Sequence, residues 1–270
     1  MSDKARILYV CQELMPYLPE SEMSRLCRAL PQAIQEKGRD IRTFMPRYGC
    51  INERRNQLHE VIRLSGMNIV IDDTDHQLII KVASIPNARL QVYFIDNEDY
   101  FQRKFILTDA QGNYFPDNDE RAIFFARGVI ETVSKLRWSP DIIHCHGWFS
   151  WLMPAYIKSL YSDDPLFASS KIVVSLYDNT FPGALDAKFR EKLESEGFDA
   201  GQAEILAEPA YENLLKYTLQ FTDGIIVAGK EVNEDIIKYA GEQGIEILSP
   251  AGDENYIEEY NDFYEKILSK

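Results

Sequence analysis

Residues 6–45 read RILYVCQELMPYLPESEMSRLCRALPQAIQEKGRDIRTFM, and this stretch decides the fold. The apolar run Arg6–Cys11 predicts a buried strand, and apolar residues recur at helical spacing from Met23 to Lys37 before Gly38. A second strand is predicted at Asp40–Met45. A strand, a helix and a strand in this order form a βαβ unit with parallel strands and a right-handed crossover. The stretch therefore predicts a doubly wound α/β fold.

The alternation of strands and helices continues along the chain. At 59–96 three apolar runs joined by short turns predict a β meander, inserted into the parallel sheet or flanking it. Further strands are predicted at 141–145 (DIIHC), 171–177 and 224–228, and further helices at Asp119–Leu136 and near 202–222, 230–240 and 254–268. No repeat and no Gly/Ser- or Pro-rich linker divides the sequence. Residues 1–270 are therefore predicted to form one Rossmann-like domain with a mainly parallel sheet.

Composition excludes several classes of partner. A formal net charge of −14 repels phosphate backbones and anionic lipids, so neither nucleic acid nor a membrane is predicted as a partner. No apolar run approaches the ~18 residues of a membrane-spanning helix. The four cysteines form no CxxC pair, and no signal-peptide pattern opens the chain. These features predict a reducing, cytoplasmic location.

The triplet His144-Cys145-His146 at the end of a predicted strand is the strongest local chemical signal. Imidazole and thiolate together suit zinc, but adjacent residues of a strand point to opposite faces, so the three cannot bind one ion together. No metal site is predicted. A Cys145 nucleophile with a histidine base is a second interpretation, although Cys145 is expected to point into the core.

The loop after the first strand argues against a dinucleotide-dependent oxidoreductase. A pyrophosphate approaches a helix N-terminus closely only where glycines leave room, and residues 11–26 (CQELMPYLPESEMSRL) contain no glycine. Glu13, Glu20 and Glu22 would also repel a phosphate at this place. No cofactor is predicted.

Several motifs stand in a specific order along the chain. They are Glu13, Pro16, Ala29-Leu30-Pro31, Met45-Pro46-Arg47-Tyr48-Gly49, Asp96-Asn97, Tyr100-Phe101, Pro116-Asp117-Asn118, Arg121, Phe124-Phe125 and Pro140–Trp148 (PDIIHCHGW). In this order they resemble the opening of glycogen and starch synthases, glycosyltransferase family 5, in a short Bacteroidetes-type version. The likeness covers about residues 5–230. It implies one half of a two-Rossmann GT-B fold, whose N-terminal half offers the glucan acceptor and whose C-terminal half holds most of the ADP-glucose.

The sequence departs from this family at three places. Where the family has Lys-x-Gly-Gly after the first strand, this chain has Pro19-Glu20-Ser21-Glu22, without the cation and the glycines that a diphosphate needs. The family's Asp-Trp-His appears as Gly147-Trp148-Phe149, and phenylalanine cannot relay a proton. A His-Asn pair at a strand end appears as Tyr177-Asp178, which keeps polar groups there. No catalytic residue is assigned for this reason.

The resemblance implies substrate contacts in the loops at the strand ends. The predicted substrate-binding residues are Glu13, Tyr48, Asn118, Arg121, His146, Trp148, Tyr177 and Asp178. Tyr114 and Trp151 also have the aromatic chemistry of carbohydrate sites, although Trp151 fits a core position equally well. The basic residues Arg47, Arg103, Lys104 and Arg121 are expected to be solvated or paired with acidic groups.

Three functions stay open at this point. The favoured one is an acceptor-side domain that binds α-glucan or works with a separate donor-binding chain, because the sequence offers only the first half of the family's fold and no obvious Lys/Arg cluster for a diphosphate. The second is an autonomous retaining glucosyltransferase that uses ADP-glucose. The third is a non-catalytic protein-interaction module, which an exposed apolar patch would support.

Overall fold

A computed structural model describes residues 4–86, 88–250 and 255–270. Its strands are β1 Arg6–Cys11, β2 Asp40–Pro46, β3 His59–Glu60, β4 Met67–Ile71, β5 Thr74–Ser84, β6 Gln91–Asp96, β7 Ile142–His146, β8 Lys171–Leu176, β9 Gly224–Val227 and β10 Glu246–Leu248. Its helices are α1 Glu22–Glu36, α2 Glu53–Asn56, α3 Glu98–Phe101, α4 Asn118–Leu136, α5 Leu152–Ala155, α6 Phe189–Ser195, α7 Tyr211–Leu219, α8 Glu234–Glu242 and α9 Tyr256–Leu268.

The strands form one sheet in the order β10-β9-β8-β7-β1-β2-β6-β5-β3, and β4 pairs with β5. The pairs from β10 to β6 are parallel, and β5 is antiparallel to β6, β4 and β3. The mixed α/β class with a mainly parallel sheet is therefore confirmed. The β meander flanks the parallel sheet, because its last strand, β6, joins the sheet beside β2.

Burial patterns explain why these segments are strands. The central strand β7 is buried along its whole length, and β8 is buried at every residue after Lys171, as strands covered by helices on both faces must be. β5 alternates between buried and exposed residues over much of its length, which is typical of a sheet with one solvated face. The helices that cover the sheet pack in two groups. In one group α1 contacts α9, and in the other α5 contacts both α4 and α7.

One predicted helix is divided in the structure, and one strand was not predicted. The helix predicted near 202–222 is divided into a 3₁₀ turn at Gln202–Ala207 and the helix α7. Pro209 explains the break, because proline lacks the backbone N–H that a helix interior needs and drives the preceding residue towards extended backbone. Glu208 is extended, with φ −120° and ψ 96°. The strand that was not predicted is β10, whose three residues are too few to show a periodicity.

Across the described ranges, the chain contains no helix that is both long enough and apolar enough to span a membrane.

Candidate functional site

The candidate site lies where the strand order of the sheet reverses. The chain runs from β1 outward through β2 to β6, and it then returns to β7 on the other side of β1. In doubly wound sheets, ligands bind at such a switch point, outside the carboxyl ends of the strands. The segments that follow β1, β7 and β8 therefore form the centre of the site.

Gln12 joins the ends of β1 and β7. Its backbone N–H donates to the carbonyl of His146 at 2.9 Å, and its side-chain Oε1 accepts from the backbone N–H of Phe149 at 3.2 Å. Gly147 lies between these two contacts with φ +82°, a conformation that side chains disfavour. A Cβ at Gly147 would lie 2.7 Å from the Cβ of Gln12. The backbone at this junction therefore has no room for a side chain.

His146 and Tyr177 meet at the ends of β7 and β8. The hydroxyl of Tyr177 lies 2.7 Å from Nδ1 of His146, and both residues are buried. Nε2 of His146 is buried and finds no partner among the described residues. Burial lowers the pKa of His146 to about 3, so the ring is neutral at pH 7. A neutral imidazole can accept or donate one hydrogen bond on each nitrogen, which suits contact with a hydroxyl group.

A second buried histidine lies deeper on the same face of β7. The rings of His144 and His146 are 4.0 Å apart. Nδ1 of His144 lies 2.6 Å from the hydroxyl of Tyr264 in α9, and Nε2 lies 2.8 Å from Oγ of Ser175. The hydroxyl of Tyr264 also lies 3.1 Å from that of Tyr9. This polar chain fixes α9 on the sheet beneath the site.

Cys145 points to the opposite face and is fully buried, as a core residue would be. Burial raises the pKa of its thiol, which disfavours the thiolate that a nucleophile needs. No group of three potential metal ligands occurs among the described residues. His144 and His146 each lie within hydrogen-bond distance of hydroxyl groups.

We expect the two histidines to make stability fall in mild acid. Burial lowers the pKa values of both His144 and His146, so below about pH 6.5 the unfolded chain binds protons that the folded chain excludes. Their contribution is present above that pH and is lost as the pH falls, by roughly 1 kcal/mol per histidine between pH 7 and 5.5. Urea unfolding at the two pH values should show a smaller loss in His146→Gln than in the wild type. Identical pH dependence in the two proteins would contradict the assignment.

The segment Pro19–Glu22 forms the capped start of α1. Oγ of Ser21 accepts from the backbone N–H of Ser24 at 3.0 Å, and Oγ of Ser24 accepts from the backbone N–H of Ser21 at 2.7 Å. The Ser21 hydroxyl donates to the carboxylate of Glu13 at 2.7 Å. A carboxylate and a reciprocal cap therefore occupy the helix N-terminus, where an anion would otherwise bind.

Trp148 is buried against aromatic neighbours. Its ring lies 4.8 Å from that of Phe181 and 5.3 Å from that of Phe149. Trp151 is also buried, with its ring 5.0 Å from that of Tyr211, so it is a core residue. Trp148 therefore belongs to a buried aromatic cluster with Phe149 and Phe181.

Arg121, Asn118 and Tyr48 lie together beneath the site. Arg121 is fully buried, and it donates to the carbonyls of Tyr100 and Ile106, each at 2.8 Å, and to Oδ1 of Asn118 at 2.5 Å. Burial lowers the pKa of its guanidinium to about 10. The buried hydroxyl of Tyr48 has no partner among the described residues. Arg121 therefore directs its donors at the protein.

Asp178 connects the loop after β8 to the end of β9. Its carboxylate accepts from the backbone N–H of Lys230 at 3.0 Å and from that of Glu231 at 2.8 Å. Both oxygens of this exposed residue thus have backbone partners.

The basic residues other than Arg121 that the sequence singled out also have partners. Arg47 pairs with Glu53, Arg103 donates to Asp117 at 2.6 Å, and Lys104 lies over the ring of Phe105.

A cleft of about 220 Å³ opens beside these residues, between the segment before α4 and the loop after β8. We call it the Tyr114 cleft. Its lining includes Tyr114, Phe115, Asn118, Phe181, Pro182 and Asp186. Since α4 begins and β8 ends at the carboxyl edge of the sheet, the cleft lies on the same edge as the histidines.

The structure brings the predicted residues together in two groups. His146, Trp148 and Tyr177 surround the ends of β7 and β8, and Tyr48, Asn118 and Arg121 lie together below Phe149. Glu13 and Asp178 bind their own loops. The sequence analysis did not name Gln12 and Phe181 among the site residues. Only their position directly after strands could have indicated them, because their chemistry is ordinary.

Comparison with known proteins gives this site its context. The profile of the starch synthase catalytic domain matches residues 6–249. A glycogen synthase of Chlorobium luteolum (strain DSM 273 / BCRC 81028 / 2530) is 39% identical over 189 residues, which are 70% of this chain and 39% of that protein. A glycogen synthase of Chlorobium phaeobacteroides (strain DSM 266 / SMG 266 / 2430) is 34% identical over 239 residues, 88% of this chain and 48% of that protein.

A solved structure shares the fold. The catalytic domain of starch synthase IV from Arabidopsis thaliana, bound to ADP and acarbose, superposes with a TM-score of 0.66 at 19% identity, over 83% of this chain and 44% of that one. The chain thus spans less than half the length of each of these three proteins. On the strength of the profile match along most of its length, the chain belongs to the starch synthase catalytic domain family, glycosyltransferase family 5.

Proposed function

We propose that this chain is the acceptor-side domain of a glycogen or starch synthase-like system, and that it binds α-glucan without holding ADP-glucose by itself. The observation that carries this proposal is the capped start of α1. Glu13 and the Ser21–Ser24 cap occupy the place where the family has a lysine and two glycines. A diphosphate there would meet a carboxylate rather than a cation.

The second part of the proposal concerns binding of the glucan acceptor. The half-buried rings of Tyr114 and Phe115 line the Tyr114 cleft together with the carboxylate of Asp186, and ring faces beside a hydrogen-bond acceptor suit a neutral sugar chain. The solved relative is bound to acarbose and ADP, and we carry only the glucan-like part of that pair to this chain. We take the described residues as one domain, because their buried apolar side chains form a continuous core.

Transfer then requires a donor-binding half, which we place on a separate chain of the same family. Electrostatic stabilisation of the departing diphosphate is usually the largest contribution to such catalysis. Arg47 and Arg103 are engaged by Glu53 and Asp117, so neither guanidinium offers an unpaired charge to a diphosphate. We place this function in the cytoplasm, which the four unpaired cysteines support.

One experiment tests these statements together. Purified protein is mixed with ADP-glucose and glycogen, ADP release is followed, and the same sample is sedimented with its glycogen, with boiled protein as the control. We expect the protein to sediment with glycogen and to release no ADP above the control. Adding the donor-binding half of a family member on a second chain is expected to produce release.

The other outcomes separate the alternatives. ADP release by the protein alone would contradict the acceptor-only function and support an autonomous retaining glucosyltransferase. Absence of both sedimentation and release would contradict glucan binding and favour a protein-interaction module. Sedimentation without release, even with the second chain, would support glucan binding and contradict the two-chain transfer.

A further inference from the structure

We infer that the outer face of α4 is a surface on which a second copy of this chain docks, with the two α4 helices antiparallel. This surface, which we call the α4 face, consists of the ridge Arg127, Glu131 and Lys135 and of the exposed apolar side chains on its two flanks. The inference goes beyond the proposed function and does not depend on glucan binding.

Two exposed apolar side chains lie on the flank of α4 that faces the β meander. Ile62 is 75% exposed and Val70 is 49% exposed. Arg127 of α4 donates to the carbonyl of Val70 at 2.6 Å, and Lys135 donates to the carbonyl of Leu64, two residues after Ile62, at 3.2 Å. These hydrogen bonds hold both apolar side chains beside the helix.

A third exposed apolar side chain, Leu160, lies on the other flank. It precedes Tyr161, whose hydroxyl donates to the carboxylate of Glu131 in α4 at 3.4 Å. Three of the four large apolar side chains that are exposed among the described residues therefore surround one helix. Single exposed apolar residues are ordinary, but such a grouping is typical of an interaction surface.

The charges on the ridge favour a second copy as the occupant. Arg127, Glu131 and Lys135 are spaced four residues apart, so they lie on one face of α4. Arg127 pairs with Glu196 at 3.1 Å, whereas no carboxylate within the described ranges forms an ion pair with Lys135. A two-fold axis halfway between Glu131 and Lys135 places each Glu131 opposite the Lys135 of the other copy. The ridge is therefore complementary to itself, as an isologous interface must be.

The same axis brings an apolar side chain to a groove. In an antiparallel pair, the flank that carries Ile62 and Val70 faces the same flank of the second copy in reverse order. Val70 of one copy then lies towards the end of the other α4. A groove of about 320 Å³ opens there, lined by Arg63, Leu64, Lys135 and Leu136. The net charge of −14 opposes association of two copies, but salt screens this repulsion over about 8 Å at physiological ionic strength.

The test is sedimentation velocity of the full chain at protein concentrations centred on about 10 µM, since an interface built on one helix and its flanks is expected to be weak. The wild type should reach twice the chain mass of 31.2 kDa. Ile62→Ser should weaken dimerisation by at least about tenfold. Phe105→Ser is the matched control, because Phe105 is the fourth exposed large apolar residue and lies outside the α4 face; it should stay within about twofold of the wild type. Thermal unfolding of each variant checks that the fold is kept.

A pair of charge variants tests the antiparallel arrangement itself. Lys135→Glu gives a ridge with two facing carboxylates at each contact, and Glu131→Lys gives one with two facing ammonium groups, so each variant alone should dimerise at least about tenfold more weakly than the wild type. An equimolar mixture of the two variants pairs carboxylate with ammonium at both contacts. The mixture should therefore form a heterodimer with an affinity close to that of the wild type.

Restored dimerisation in the mixture, together with the loss in Ile62→Ser and none in Phe105→Ser, supports the docking of a second copy on the α4 face. A wild type that stays monomeric overturns it, and the α4 face is then left to a different partner. A dimer that Ile62→Ser and Lys135→Glu leave intact also overturns it, because the interface then lies elsewhere. A mixture that stays monomeric contradicts the antiparallel pairing and overturns the inference as well. None of these results affects the sedimentation with glycogen on which the proposed function depends.

Discussion

Replacing Gly147 with alanine is expected to lower the free energy of unfolding by about 3 kcal/mol. Two costs add up in this variant. Gly147 has φ +82° and ψ 153°, a region that only glycine occupies readily, at a cost of about 1–3 kcal/mol to other residues. The new Cβ would also lie 2.7 Å from the Gln12 Cβ and 2.9 Å from the Met23 Cε, and such overpacking costs about 1–3 kcal/mol.

Gly66→Ala is the matched control for this substitution. Gly66 has nearly the same φ, +86°, but no heavy atom lies within 4 Å of its would-be Cβ. It therefore reports backbone strain without the steric clash. Urea unfolding should show a loss of about 1 kcal/mol in Gly66→Ala and clearly more in Gly147→Ala. Equal losses would show that the Gln12–Gly147 junction tolerates a methyl group.

Replacing Lys192 with methionine is expected to destabilise the fold by about 3–5 kcal/mol at pH 7. Nζ of Lys192 donates to Asp119 and to Glu120, each at 2.7 Å, and lies 3.7 Å from Asp186. Asp119 is fully buried, so removal of the cation leaves an uncompensated charge in the interior. The long stem of methionine keeps most of the packing, so the measured loss reports mainly the charge.

The pH dependence of this loss follows from the pKa of Asp119. Burial raises that pKa and Lys192 lowers it; without the lysine it rises further. A raised carboxyl pKa gives stability that is present below the unfolded value, near 4, and is lost as the pH rises through the folded value. The deficit of Lys192→Met should therefore shrink as the pH falls towards 4.

A double variant makes the cause testable. In Lys192→Met with Asp119→Asn, the uncompensated charge on Asp119 is absent, and urea unfolding at pH 7 should recover part of the lost stability. If the double variant is no more stable than Lys192→Met, the loss is one of packing, and the charge argument is wrong.

Much of the fold could be predicted from local patterns. β1 agrees with its prediction at both ends, and α1 begins at Glu22, one residue before the predicted start at Met23. These elements carry their own signals: an unbroken apolar run for the strand, and a serine cap, helical spacing and a closing glycine for the helix. A strand such as β10 carries no such signal, because three residues cannot show a period.

The site could be predicted only in outline. The sequence indicates that polar residues follow β7 and β8, but not that Tyr177 reaches His146, since this contact joins residues 31 positions apart. Arg121 was named from a motif, yet its burial and its three protein acceptors depend on packing between α4 and the segment at 100–107. The Asp178 carboxylate likewise accepts its hydrogen bonds from the backbone of the loop after β9. No local sequence pattern indicates that this loop lies beside Asp178.

The contact between Tyr9 and Tyr264 joins β1 to α9, an early and a late segment of the chain. The two hydroxyl groups are separated by 255 residues along the chain, and His144 and Ser175 complete the same buried network. A ribosome releases β1 long before it releases α9, so this polar face of the sheet stays uncovered during most of synthesis. Contacts of such long sequence separation also form slowly, because a large loop must close first. We therefore expect α9 to pack onto β1 late in folding.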